Sequence, residues 1–145
     1  MKKKFITYCS IFIFSSTTGS VFAHTQTGTL ATSASAVDLY SVSCSPDVGQ
    51  KTAKLQTHIQ GLSQSSGALK ISVISQRFAV ASRTTDVRNA DGQFSPTATI
   101  AGSDGVYNVM VVKNSSGMMS YSVEFHCLSQ SGAHTMTNSF LLQNQ

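Results

Sequence analysis

Outside the first residue, four histidines and four methionines are the side chains in this sequence best suited to chemistry. His24, His58, His126 and His134 supply imidazoles, and Met110, Met118, Met119 and Met136 supply thioethers. Imidazole suits copper, zinc and other transition metals, while thioether favours Cu(I), so the combination points to copper before zinc or calcium. His134-Thr135-Met136 sets a thioether two residues from an imidazole, on one face if the segment is extended. His126 lies in an alternating run and points away from its apolar side. His58 also points outward, but nothing in the sequence ties it to the others.

His24 gains its interest from what precedes it. Met1 is followed by Lys2, Lys3 and Lys4, then by an apolar run from Phe5 to Phe14, a small polar stretch, and Val21-Phe22-Ala23. A positive start, a short apolar middle and small residues before a cut mark residues 1–23 as a secretory signal peptide cleaved after Ala23. The apolar run is about half of the ~20 residues that a membrane-spanning helix needs. No membrane span is therefore expected. Cys9 lacks the small residues ahead of it that a lipoprotein cleavage box requires.

Cleavage at that point leaves His24 first in the mature chain. An N-terminal histidine can close a chelate on one copper ion through its α-amine, whose unperturbed pKa is about 7.7–8.0, and its imidazole. His126 or His134 would add a second imidazole, and Met136 a thioether. This use of an N-terminal histidine is similar to that of copper-dependent polysaccharide oxygenases and their non-catalytic relatives. The resemblance implies copper as the ligand. It does not extend to oxygenase chemistry: the chain is short for such enzymes, and with no Trp and three Tyr after residue 23 it lacks an aromatic platform for a glycan.

Removing the leader also changes the charge. The whole chain carries a net charge of +4, and three of its lysines belong to residues 1–23. Seven Lys and Arg against six Asp and Glu then remain, which removes the argument for a nucleic-acid partner or an anionic membrane surface. The two cysteines beyond the leader, Cys44 and Cys127, are expected to pair in an oxidising compartment, periplasmic or extracellular. A bridge across a loop that long contributes about 4.5 kcal/mol in the chain-entropy model.

No G-x-S-x-G, H-E-x-x-H, P-loop or C-x-x-C motif is present. Asp47, Asp91 and Asp104 stand beside Pro or Gly and read as turn formers. The run from Asp86 to Gly92 faintly suggests a calcium loop, but Arg88 and Ala90 stand where oxygen ligands are needed. Arg77 and Arg83 share a face that could hold an anion, and a solvated basic face is the preferred reading.

The elements that must position these side chains are strands. Alternating apolar residues run through Val37 to Cys44, Leu55 to Gln60, Leu69 to Val73 and Phe78 to Ser82. Further runs cover Phe94 to Ala101, Val106 to Lys113, Met119 to Cys127 and His134 to Leu142. Pro96 pushes its segment toward a sheet edge. Only the stretch near Lys51 to Gln60 admits a helix instead. Turn signals fall at Pro46-Asp47, Ser66-Gly67, Asp91-Gly92, Asp104-Gly105, Ser116-Gly117 and Ser131-Gly132. Seven or eight short strands so punctuated predict an all-β, small antiparallel β-sandwich with one inter-strand disulfide. Its domain would cover residues 37–145. Residues 24–36, rich in Ser, Thr and Ala, would form an arm, read as mobile in preference to a polar edge strand through Thr25, Thr27 and Thr29.

Tyr40-Ser41-Val42 precedes Cys44, and Tyr121-Ser122-Val123 precedes Cys127. Both tyrosine-to-cysteine spacings are even, so ring and sulfur share a face in each strand. The run from Asp104 to Val111, followed by Tyr121-Ser122-Val123, resembles the late strands of immunoglobulin-like and bacterial pre-peptidase C-terminal sandwiches. That resemblance covers about a fifth of the chain and implies a non-catalytic accessory or binding module. Two readings follow: an exported β-sandwich acting by binding or assembly, with a partner strand added at a sheet edge, or a small exported copper binder built on His24.

Overall fold

Side-chain alternation becomes two facing sheets. The computed structural model describes residues 24–64 and 69–145. The expected signal peptide, residues 1–23, and the expected turn at Ser66-Gly67 lie outside these. Nine strands are described: β1 (His24–Leu30), β2 (Val37–Ser45), β3 (Thr52–Gly61), β4 (Ile71–Arg77), β5 (Val80–Asp86), β6 (Ala98–Ala101), β7 (Gly105–Lys113), β8 (Met119–Ser129) and β9 (Met136–Gln143). One sheet has the order β1-β8-β3-β6 and the other β5-β4-β7-β2-β9. All the pairings are antiparallel, giving the sandwich that the alternation predicted. Among the described residues no helix is long and apolar enough to cross a membrane.

The core lies where the even spacings put it. Tyr40, Val42 and Cys44 of β2 are buried against Tyr121, Val123, Phe125 and Cys127 of β8. Cys44 and Cys127 are bonded, their Cα atoms 5.6 Å apart, and the bridge joins one sheet to the other. Beside it the rings of Tyr40 and Phe125 meet at 5.4 Å in a tilted pair, a favourable aromatic geometry.

Polar groups are drawn into this core and partnered there. Asp38 is fully buried and accepts hydrogen bonds from the Tyr121 hydroxyl and, at 2.8 Å, from the backbone N–H of Gln145. Tyr40 donates to the Tyr121 oxygen at 2.8 Å. Burial, then the neighbouring Asp38 and Tyr40, push the Tyr121 hydroxyl far above the usual phenol range, so it stays a donor. The buried Lys113 ammonium donates to the carbonyls of Ala31 and Gly117, and its burial lowers its pKa.

The structure differs from the sequence expectations at three elements. Residues 24–30 are the edge strand β1, paired along its length with β8, and not a loose arm. Gly28 permits that pairing, because a Cβ there would run into the Tyr121 hydroxyl. The stretch near Lys51 to Gln60, where a helix is the admitted alternative, holds the expected strand, β3. Phe78 belongs to a tight turn with φ 52°, so β5 begins at Val80. The expected strand from Phe94 shrinks to Ala98–Ala101, an edge strand as Pro96 implied, because proline has no N–H for a ladder.

Candidate functional site

Opposite residues of an antiparallel pair share a face, so register decides which histidines meet. On β8, Phe125 and Cys127 point inward, leaving Glu124 and His126 on the outer face. The β3–β8 register sets His58 across from Glu124 and Gln56 across from His126. His58 and His126 are thus diagonal neighbours, and their rings lie 5.9 Å apart, edge to face. After the Ser131-Gly132 turn the chain returns along β8, and an isolated bridge sets His134 opposite Leu128. That places the His134 ring 5.2 Å from the His126 ring. Three imidazoles, two joined by one turn and the third from β3, therefore form a row with His126 in the middle.

The central ring is the most constrained. The His126 side chain is 16% exposed, and its Nε2 lies 3.4 Å from Oε2 of Glu124. Glu124 is itself held by Thr25 of β1, whose hydroxyl donates to Oε1 at 3.3 Å. With Nε2–H donating to the carboxylate, Nδ1 carries the lone pair, and that Nδ1 is buried without a hydrogen-bond partner. Burial lowers the pKa of His126, and His134 and His58 lower it further against the opposing pull of Glu124. The ring is thereby kept neutral, the form in which imidazole ligates metal.

His58 is positioned by the loop that precedes β6. Ser95 is pinned to β3 by hydrogen bonds in both directions, its N–H to the Ile59 carbonyl at 2.8 Å and its hydroxyl from the Ile59 N–H at 3.1 Å. This brings the Phe94 ring edge-on to His58 at 6.3 Å. The Thr97 hydroxyl stands 3.4 Å from His58 Nε2.

The copper set expected from sequence is only partly brought together. His126 and His134 are adjacent. His24 pairs with Phe125 and so lies on the inner side of its sheet, the opposite face from His126. Thr25, one residue on, is the β1 side chain that reaches the row. Met136 pairs with Ser45 in the other sheet, where it is exposed. The reason is common to both: in a strand, a shift of one residue or a change of sheet exchanges the face. His58 joins the row instead. Only the β3–β8 register would have revealed it, and sequence alternation alone does not set which strands are neighbours.

Among the described residues no group of three or more His, Cys, Asp or Glu side chains could hold a metal ion. The row is a chain of pairwise contacts. Elsewhere the ionic groups are engaged by their own surroundings. Asp86 accepts from the N–H groups of Gly61 and Arg88, and Asp91 from that of Gln93, so both carboxylates of the Asp86–Gly92 loop are taken up by backbone N–H groups. Arg77 stacks on Tyr107 at 4.7 Å and donates to the carbonyls of Ser103 and Asp104, while Arg83 donates to Ser72.

No protein-family model, curated protein or solved structure matches the chain. The site's chemistry therefore stands on its geometry.

Proposed function

We propose that this chain is a non-catalytic β-sandwich module that works outside the cytoplasm by binding, and that its ligand is a transition-metal ion, copper foremost, held at His126 and His134. The observation that carries the reading is the buried, unpartnered Nδ1 of His126 beside a second imidazole. A buried polar atom without a partner is costly, and a metal ion is one group that would satisfy it. A neutral ring whose other nitrogen is held by a carboxylate is the arrangement that metal-binding histidines share. The disulfide fits an oxidising compartment, and the expected leader would deliver the chain there.

The test is a Cu(II) and Cu(I) titration of metal-free protein beginning at His24, repeated with one residue added ahead of it. One equivalent bound by both forms, and lost in His134→Ala, is expected. Binding that disappears with the added residue would return the site to the His24 chelate. No binding in either form would end the metal reading.

A second reading, assembly through a sheet edge, is favoured by β9. This edge strand has no charged residue, and it leaves Phe140 and Leu142 64% and 60% exposed. Such an edge accepts an added strand. Concentration-dependent association that Leu142→Lys abolishes would support this reading; a monomer at all concentrations would leave an external partner.

A further inference from the structure

We infer that the chain forms a two-fold dimer through one flank of the sandwich, β9 pairing with β9 and β1 with β1 of a second copy, so that both sheets run on from one copy into the other. The inference rests on the edge-assembly reading above and names its occupant.

The edges of the two sheets are unequally guarded. The Cys44–Cys127 bridge sets β2 opposite β8. The strands beyond them, β9 and β1, therefore border the same flank, where the Ala31 N–H donates to the Gln145 carbonyl at 2.9 Å. β5 and β6 are the edges of the other flank. Edges are normally blunted against added strands by charge, proline or shortness. β5 carries Arg83 and Asp86, and β6 is a strand of four residues just after Pro96. β1 and β9 run for seven and eight residues and contain no Lys, Arg, Asp, Glu or Pro. The register shift of β9 falls near its end, so Met136 to Leu141 pairs regularly with β2. Guarding devices present on one flank and missing from the other mark the open flank as the one that a partner covers.

A second copy fits that flank better than a lone strand does. An extended peptide pairs with one edge. Two open edges side by side call for a body with two edges at the same spacing, which a copy of the sandwich has by construction. A two-fold axis normal to the sheets sets each edge strand antiparallel to its own copy, and such a contact brings residues near their like. Charge would then meet like charge. β1 and the whole run from Cys127 to Gln145 contain no Lys, Arg, Asp or Glu, so no such repulsion arises along them. Together the two strands approach the roughly 20–30 residues a side that stable interfaces use. Apolar surface supplies the drive, since Met136, Phe140, Leu141 and Leu142 of β9 are all exposed.

The experiment is sedimentation equilibrium with amide hydrogen exchange on the protein that begins at His24. A concentration-dependent dimer is expected, with exchange slowing in both β1 and β9 as it forms. Asn138 is exposed on β9, and Asn138→Lys and Asn138→Glu should each weaken the dimer by about tenfold or more, because like charges then meet. Equal parts of the two variants should associate again, a recovery that misfolding does not produce. Thr27→Lys on β1 should weaken the dimer in the same direction. Slowed exchange in β9 alone, with Thr27→Lys without effect, would overturn the two-edge dimer, and so would a dimer that neither Asn138 variant weakens. A monomer at all concentrations would overturn self-pairing, and a synthetic peptide of the β9 sequence then tests the edge reading separately. Slowed β9 exchange on adding that peptide would keep the edge reading while the dimer falls; no slowing would end both.

Discussion

His126 sits between two other imidazoles, and proximity has an acid-side consequence. Its outer-face neighbours are His58 and Lys54 on β3, Glu124 on its own strand and His134 on the return segment. Burial first, and then the two histidines, place its pKa below the ordinary imidazole value, which is about 6.5. The unfolded chain therefore takes up the proton first. Stability of the metal-free protein is whole above that ordinary value and is lost as pH falls through the depressed folded one. Denaturant midpoints across this range should drop toward acid, and His126→Gln should flatten the dependence. A profile that the substitution leaves unchanged would place the titration elsewhere. Asp38 makes a second case at this scale. Tyr121→Phe removes a donor from its buried carboxylate and should cost about 1.5–3 kcal/mol, the range for hydrogen bonds to charged groups, read by urea unfolding.

At the scale of the element, β1 shows how much a single strand can carry. It covers the edge of β8 and supplies Thr25 to Glu124, and its close approach depends on Gly28. Gly28→Ala forces a Cβ against the Tyr121 hydroxyl. Overpacking of this kind costs about 1–3 kcal/mol, and the strain should appear as faster proteolytic cutting within residues 24–30. Unchanged protection would mean that Tyr121 yields without moving the strand. The same strand marks what could be read from sequence. Alternation in Val37 to Cys44 and in Met119 to Cys127 identified β2 and β8 with their inward faces, because a buried face requires it. Alternation of Thr25, Thr27 and Thr29 also fits a strand, but polar on both faces it offers no hydrophobic reason to prefer sheet over arm. His126 and His134 were legible as a pair because one turn joins their segments. His58 was not, since its partner strand lies more than sixty residues away and neighbour choice is set by the whole sandwich.

For the whole molecule, the disulfide is a covalent tie between the sheets. It fastens β8, the strand bearing Glu124 and His126, to β2 on the opposite side of the core. Cys127→Ala should lower stability by about 2–5 kcal/mol in denaturant unfolding. A loss indistinguishable from zero would show that the core alone holds the sheets together. The removal should also loosen the histidine row, since Cys127 adjoins His126 in the chain.

The strand order has one more consequence, and it concerns time. Among the described strands only β4 and β5 are neighbours both in sequence and in a sheet. β1 waits for β8, and β2 for β7 and β9; even the backbone N–H of Ala31 is satisfied by the carbonyl of Gln145. Folds dominated by such distant pairings form slowly, because the entropy of closing long loops precedes the contacts that reward it. The sheet β1-β8-β3-β6 cannot be completed before β8, nor the other before β9. A chain with this topology should therefore refold slowly after dilution from denaturant, which stopped-flow fluorescence of its tyrosines would read.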